Sequence, residues 1–167
     1  ATCQRPGLVD FTELLLRASE LLRDNTQPRA HHQRRFRHAP VADFHDTTTY
    51  RGMMFTDVPN MLWLFGYFRA SWTLRVDLLS DFVCRLLNHM DKKGKKQVEV
   101  TLRPEDKDMP ISGSIDPNNF KPGYLMRAMH LLPQRGDKPE WQHTQDYWTE
   151  KVAISAIDLD GKEFIYR

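Results

Sequence analysis

Apolar positions follow two different periods along this chain. Between residues 71 and 90, Val76, Leu79, Val83, Leu86 and Met90 recur on one stripe, widened by Phe82 and Leu87. Arg75, Asp77, Asp81, Arg85 and Asn88 fill the opposite face. Such spacing predicts an amphipathic helix, about 30 Å long at the usual rise. Ser71 or Thr73 supplies its N-cap. Gly94 ends it, set among Lys92, Lys93, Lys95 and Lys96, whose cations suit the negative end of the helix dipole. Residues 11–23 repeat the pattern on a smaller scale through Leu14, Leu15, Ala18, Leu21 and Leu22, with Asp10 or Thr12 as cap.

Elsewhere the period shortens. Residues 48–55 are β-prone, and Asp57-Val58-Pro59-Asn60 is turn chemistry. Residues 61–65 form a continuous apolar run closed by Gly66. That run predicts a strand buried on both faces, as in parallel sheets covered by helices. Residues 97–103 alternate as a half-exposed strand, residues 104–121 read as a polar loop, and residues 124–132 as a short helix stopped by Pro133. Residues 152–159 and 162–166 flank Asp160-Gly161, which signals a hairpin. The fold class is therefore α/β: an incomplete parallel sheet, helices and a C-terminal β-hairpin.

Composition narrows this picture. A length of 167 residues fits one domain, and 40% apolar residues are enough for a core. A formal charge of +2 gives no case for nucleic acid or an anionic membrane as partner. The charge is uneven, since residues 29–38 hold four Arg and three His. With no apolar period between Pro28 and Pro40, residues 24–40 are expected to form a mobile, solvated arm. Cys3 and Cys84 make no disulfide framework and suit a reducing compartment. No apolar run approaches the about 20 residues a membrane helix needs, and no leader is visible, so a cytoplasmic location is expected.

Most candidate chemistry weakens on inspection. His31, His32 and His38 lack metal-ligand spacing, so no metal is expected. Asp43, His45 and Asp46 pair carboxylates with a His, yet no G-x-S-x-G elbow accompanies them. Ser112-Gly113-Ser114 is a polar loop. Trp141, Tyr147 and Trp148 suit core packing better than a substrate wall. No catalytic residue is assigned.

The informative unit is residues 57–81: a strand expected to end at Gly66, a short loop, then a capped helix. Ligands gather at the carboxyl ends of strands in open α/β sheets, and a helix N-terminus offers free N–H groups to an electron-rich atom. Thr49-Tyr50-Arg51-Gly52, Asp57-Val58-Pro59-Asn60, Phe65-Gly66-Tyr67 and Ala70-Ser71-Trp72-Thr73 stand here in that order. A second block runs from Phe120 to Ala128, then Leu132-Pro133-Gln134-Arg135-Gly136-Asp137, then Trp141. Together they resemble the late part of class B flavin-dependent monooxygenases of the Baeyer–Villiger type, in the ethionamide-activating branch. The likeness covers residues 46–167. Residues 1–45 form an unmatched basic segment.

The resemblance implies an FAD- and NADPH-dependent enzyme that inserts one oxygen atom from O₂ into a ketone or soft heteroatom of a small molecule. It implies a two-dinucleotide-domain flavoprotein in which Gly66, Tyr67, Arg69, Ala70, Ser71, Trp72 and Thr73 lie against the flavin ring. Many relatives carry Asn where this chain has Arg69. The eight glycines include no GxG pair, so neither phosphate-binding motif is present, and the family's Phe-x-Gly fingerprint is missing too. The chain is therefore expected to be inactive alone, as a truncated or frame-disrupted product or as a divergent short relative. A non-catalytic interaction module that kept the family scaffold is the alternative. Substrate and oligomeric state stay open.

Overall fold

A computed structural model describes residues 44–116 and 123–167. The expected helix at residues 11–23, the basic arm with its histidines, Cys3 and Phe120 lie outside the described residues.

The β-prone run folds back on itself. Strands β1 (Thr49–Tyr50) and β2 (Met54–Phe55) pair antiparallel, with Tyr50 opposite Met54. The tight turn between them places Arg51 at φ 47° and Gly52 at φ 61°, the left-handed conformation that such hairpins demand. Asp57 and Asn60 also take positive φ, as residues of their type tolerate in turns. Their turn lies alongside β3 (Val98–Val100): Asp57 N donates to Val100 O at 2.7 Å and Asn60 N to Val98 O at 2.9 Å. The Asn60 side chain closes the contact by accepting from Val98 N at 2.9 Å.

Residues 61–65 do not form the expected buried strand. One side of β3 is taken by residues 56–60 and the other by β6 (Phe164–Tyr166), which pairs with it antiparallel. No ladder position beside β3 is left for the apolar run. It crosses as irregular backbone tied by Trp63 N to Met53 O at 2.7 Å. Its two faces are each partly covered. Leu62 and Leu64 pack on the core, while Trp63 and Phe65 continue a line of rings that starts at Phe44 and Phe55.

The long helix forms as expected. Helix α1 (Trp72–Lys93) begins after Ser71, in extended conformation at the N-cap position, and ends at Gly94 with φ 62°. Leu79, Phe82, Leu86 and Met90 are buried along it, with Val83 and Leu87 partly buried beside them. One assignment is corrected. Arg75, expected on the polar face, heads the buried stripe with 0% exposure, because a carboxylate from another helix meets it there.

Further along, a 3-10 turn (Pro104–Asp106) precedes β4 (Ile111–Gly113), which pairs antiparallel with β5 (Gln134–Gly136). Between them lies α2 (Gly123–Ala128), continued by a 3-10 turn to Leu131. The expected C-terminal hairpin is absent. Residues 152–155 belong instead to α3 (Tyr147–Ser155), whose cap is Asp146 accepting from Thr149 N at 2.7 Å. Helix α3 packs on α1, and β6 pairs with β3 and not with a neighbour in sequence. The half-exposed strand is corrected likewise: all three β3 residues are buried, with Glu99 matched to Arg167 at 2.7 Å.

The fold is thus α/β with three small two-stranded sheets, each antiparallel. No parallel sheet occurs among the described residues; parallel pairing is limited to two isolated bridges. One core joins these parts, with Tyr50 and Trp141 near its centre. Their rings meet edge to face, 5.6 Å between centroids. The Tyr50 hydroxyl donates to Glu163 at 3.2 Å, and burial pushes its pKa up to about 12. No described helix is long and apolar enough to cross a membrane.

Candidate functional site

The entrance to α1 is built by a close approach. Gly66 is buried, and a Cβ placed there would stand 2.3 Å from the Trp72 indole. Only a residue without a side chain lets that ring lie over the loop. Arg69, Ala70, Ser71, Trp72 and Thr73 are all exposed, and Trp72 keeps 50% of its surface. No side chain caps the helix; the Ser71 and Thr73 hydroxyls meet each other at 2.7 Å. The result is a solvent-facing edge of indole, hydroxyls and first-turn N–H groups. We expect Gly66→Ala to cost about 1–3 kcal/mol by displacing Trp72. In a Trp72→Ala background the loss should vanish; urea titrations giving additive losses would refute the contact as its cause.

Behind this edge sits a buried ion pair. Arg75 Nε and Nη2 bond both carboxylate oxygens of Glu150 at 2.9–3.1 Å. Nη1 donates to Phe65 O at 2.6 Å and Gly52 O at 3.3 Å, and Nη2 to Arg51 O at 2.8 Å. The five N–H donors of the guanidinium are all taken. Tyr67, 2% exposed, donates its hydroxyl to Glu150 Oε2. Burial, then the adjacent carboxylate, raises its pKa well above the ordinary phenol value. The Arg51-Gly52 turn, the Phe65-Gly66-Tyr67 loop, α1 and α3 are thereby fastened at one point.

A cleft of about 480 Å³ opens beside the loop. Phe68, Arg69, Ser114, Ile115, Asp116, Arg135, Gln142, His143, Thr144 and Gln145 line it. Gln145 orders one wall: its Oε1 accepts from Phe68 N at 2.7 Å, and its Nε2 lies 3.0 Å from His143 Nε2. Among the described residues no group of three or more His, Cys, Asp or Glu is placed to hold a metal ion.

The chain is 41% identical over 130 residues to the FAD-containing monooxygenase EthA of Mycolicibacterium smegmatis, a match spanning 77% of this chain and 25% of that protein. EthA of Mycobacterium tuberculosis is 39% identical over 128 residues, 75% of this chain and 25% of its own length. The probable FAD-binding monooxygenase AlmA of Acinetobacter baylyi is 37% identical over 111 residues, 66% of this chain and 22% of its own. This chain is related in sequence to a part of these FAD-containing monooxygenases. It spans about a quarter of the length of these relatives. No family profile matches it, and no solved structure matches it.

For a monooxygenase segment, the residues expected at the flavin fall into two groups. Arg69, Ala70, Ser71, Trp72 and Thr73 form one exposed edge around Gly66, while Tyr67 turns inward to Glu150. Donor-rich chemistry of this kind suits the ring of FAD. It does not suit the pyrophosphate, for which no glycine-rich turn is present. Of the expected aromatics, Trp141 is fully buried whereas Trp148 is 70% exposed. His45 and Asp46 pair at 3.0 Å on the surface, away from the cleft.

Sequence reading did not single out Glu150 or His143. His143 is 6% exposed. Burial, then Arg75 and Arg135, pushes its pKa down from 6.5 to about 3. An unfolded chain takes up that proton near 6.5, so it binds more protons than the folded one across this window. Stability is full above the window and falls as pH drops through it. We expect thermal unfolding followed from about pH 7 to about pH 4 to show a flatter pH dependence for His143→Gln than for the unaltered chain. Identical slopes would place the acid sensitivity elsewhere.

Proposed function

We propose that this chain supplies the C-terminal part of an FAD- and NADPH-dependent monooxygenase that inserts one oxygen atom from O₂ into a ketone or a soft heteroatom. The likeness to EthA over 130 residues carries this reading. Gly66, Arg69, Ala70, Ser71, Trp72 and Thr73 would hold the flavin ring, with Tyr67 fixing the loop from behind. When bound, the flavin supplies the redox chemistry that activates O₂. The chain's own part is to present N–H and hydroxyl donors, to cover a ring face with Trp72 and to hold the loop rigid through Arg75 and Glu150.

Phosphate contacts would come from outside this segment, so the chain alone is expected to bind FAD weakly. Titration of FAD against it checks this, and a submicromolar dissociation constant would refute it. Residues 46–167 can also replace the segment they match in the Mycolicibacterium smegmatis relative. The chimera should bind FAD and consume NADPH and O₂. A folded but colourless chimera would overturn the assignment. A second reading is a non-catalytic interaction module. It draws on Trp148 and Val152, one helical turn apart on α3 and each 70% exposed, and it predicts no oxygen uptake by the chimera.

A further inference from the structure

The cleft beside the loop has a chemistry that the flavin reading uses only at Arg69. Two guanidinium groups, Arg69 and Arg135, line it, and Asp116 is the one carboxylate in the lining. Arg135 sits on β5 and donates through Nε to Ser112 Oγ of β4 at 3.3 Å, which directs it across the β4–β5 pair. Phe68 and Ile115 supply apolar wall. We propose that this cleft binds an organic monocarboxylate with an apolar body, its carboxylate on the Arg69 and Arg135 guanidinium groups and its body against Phe68 and Ile115.

The argument rests on what the lining selects. Guanidinium forks match a planar carboxylate in a bidentate way, which favours an acid over its neutral amide. A phosphate dianion is disfavoured. The lining contains no glycine and no helix start of the kind that cradles phosphate, and Asp116 repels a second negative charge more than a single one. The cleft volume is within the range of small-molecule sites. His143 reports the sign of the local field. It is almost wholly buried, it faces Arg135 from β5 and Arg75 from α1 with Glu150 of α3 behind, and it stays neutral because burial first, and then both cations, oppose its protonation. A bound anion would relieve that field and draw its pKa upward.

The inference goes beyond the flavin reading, because it requires no flavin and its test runs on the chain alone. The full 167-residue chain, isotope-labelled, is titrated with hexanoate, with hexanamide and with inorganic phosphate while the His143 ring and Gln145 side-chain signals are followed. Hexanoate should give saturable shifts and bind about tenfold or more tighter than hexanamide, the size of one charge-assisted hydrogen bond. Arg135→Gln should remove that preference while leaving hexanamide binding and the circular dichroism spectrum unchanged; Arg69→Gln gives the same test if Arg135→Gln does not fold. Equal binding of acid and amide, or no saturable shift, would overturn the proposal. Phosphate displacing hexanoate at equal concentration would also overturn it, in favour of an inorganic anion site. These outcomes leave the FAD titration untouched, so either reading can fail without the other.

Discussion

Arg75→Ala should cost about 3–5 kcal/mol of stability, the loss expected when one partner of a buried ion pair is removed. The substitution strands the Glu150 carboxylate, which is 3% exposed, and frees three backbone carbonyls, of Arg51, Gly52 and Phe65, from their donor. Glu150→Ala should be comparably severe, because it strands the guanidinium instead. In urea denaturation the double variant should lose clearly less than the two single losses added together, since no lone charge is then left buried. Replacing the pair by Met and Leu should recover part of the loss, as apolar packing often does for buried ion pairs. A loss below about 0.5 kcal/mol for Arg75→Ala is what a surface arginine would show, and it would contradict the buried geometry.

The second large effect is expected at Trp141, which is 0% exposed. Its indole N–H donates to Asp106 Oδ2 at 2.8 Å. Asp106 is itself fully buried and also accepts from Arg103 and Lys138. Burial alone would raise the Asp106 pKa, but these hydrogen bonds outweigh it and hold the carboxyl well below the usual range. Trp141→Ala should cost about 3–5 kcal/mol through the cavity it leaves against Tyr50. Trp141→Phe keeps most of the ring and removes only the donor, so its loss should be about 1–3 kcal/mol. Chemical denaturation of the two variants separates packing from hydrogen bonding. Equal losses would mean that the Asp106 contact dominates and the ring volume matters little.

Local patterns were readable where local forces decide the outcome. The α1 stripe, the Gly94 stop, the turn at residues 57–60 and the short helix before Pro133 each depend on near neighbours, and each forms where the residues indicate. Arg75 escaped because charge alone argues for solvent, whereas its partner Glu150 lies 75 positions away. The run at residues 61–65 is apolar on both sides, as a parallel strand would be. An extended segment sandwiched without ladder partners has the same pattern, and only the occupancy of β3 by β6 and residues 56–60 distinguishes the two. Helix α3 misleads in the opposite sense: it buries Glu150 beside Ile154 and exposes Trp148 and Val152, so apolar character alone does not mark its inner face. The residues proposed for the flavin edge were singled out through their likeness to a family. The cleft was not, since Arg69, Arg135 and His143 come together only through the β4–β5 pairing and the Gln145 bridge.

The fastening points described above also set an order of events during synthesis. Tyr67 and Arg75 reach Glu150 across 83 and 75 positions, and Tyr50 reaches Glu163 across 113. As the chain leaves the ribosome, the Arg51-Gly52 turn, the Gly66 loop and α1 emerge before the two carboxylates that secure them. Until those arrive, the guanidinium of Arg75 has no buried counter-charge to fold around, and the aromatic line from Phe55 to Trp72 has no lasting cover. High contact order of this kind makes folding slow and leaves apolar segments open to aggregation on the way. Expression at reduced temperature should therefore raise the soluble yield of this chain more than that of a helical domain of equal length, whose contacts close locally.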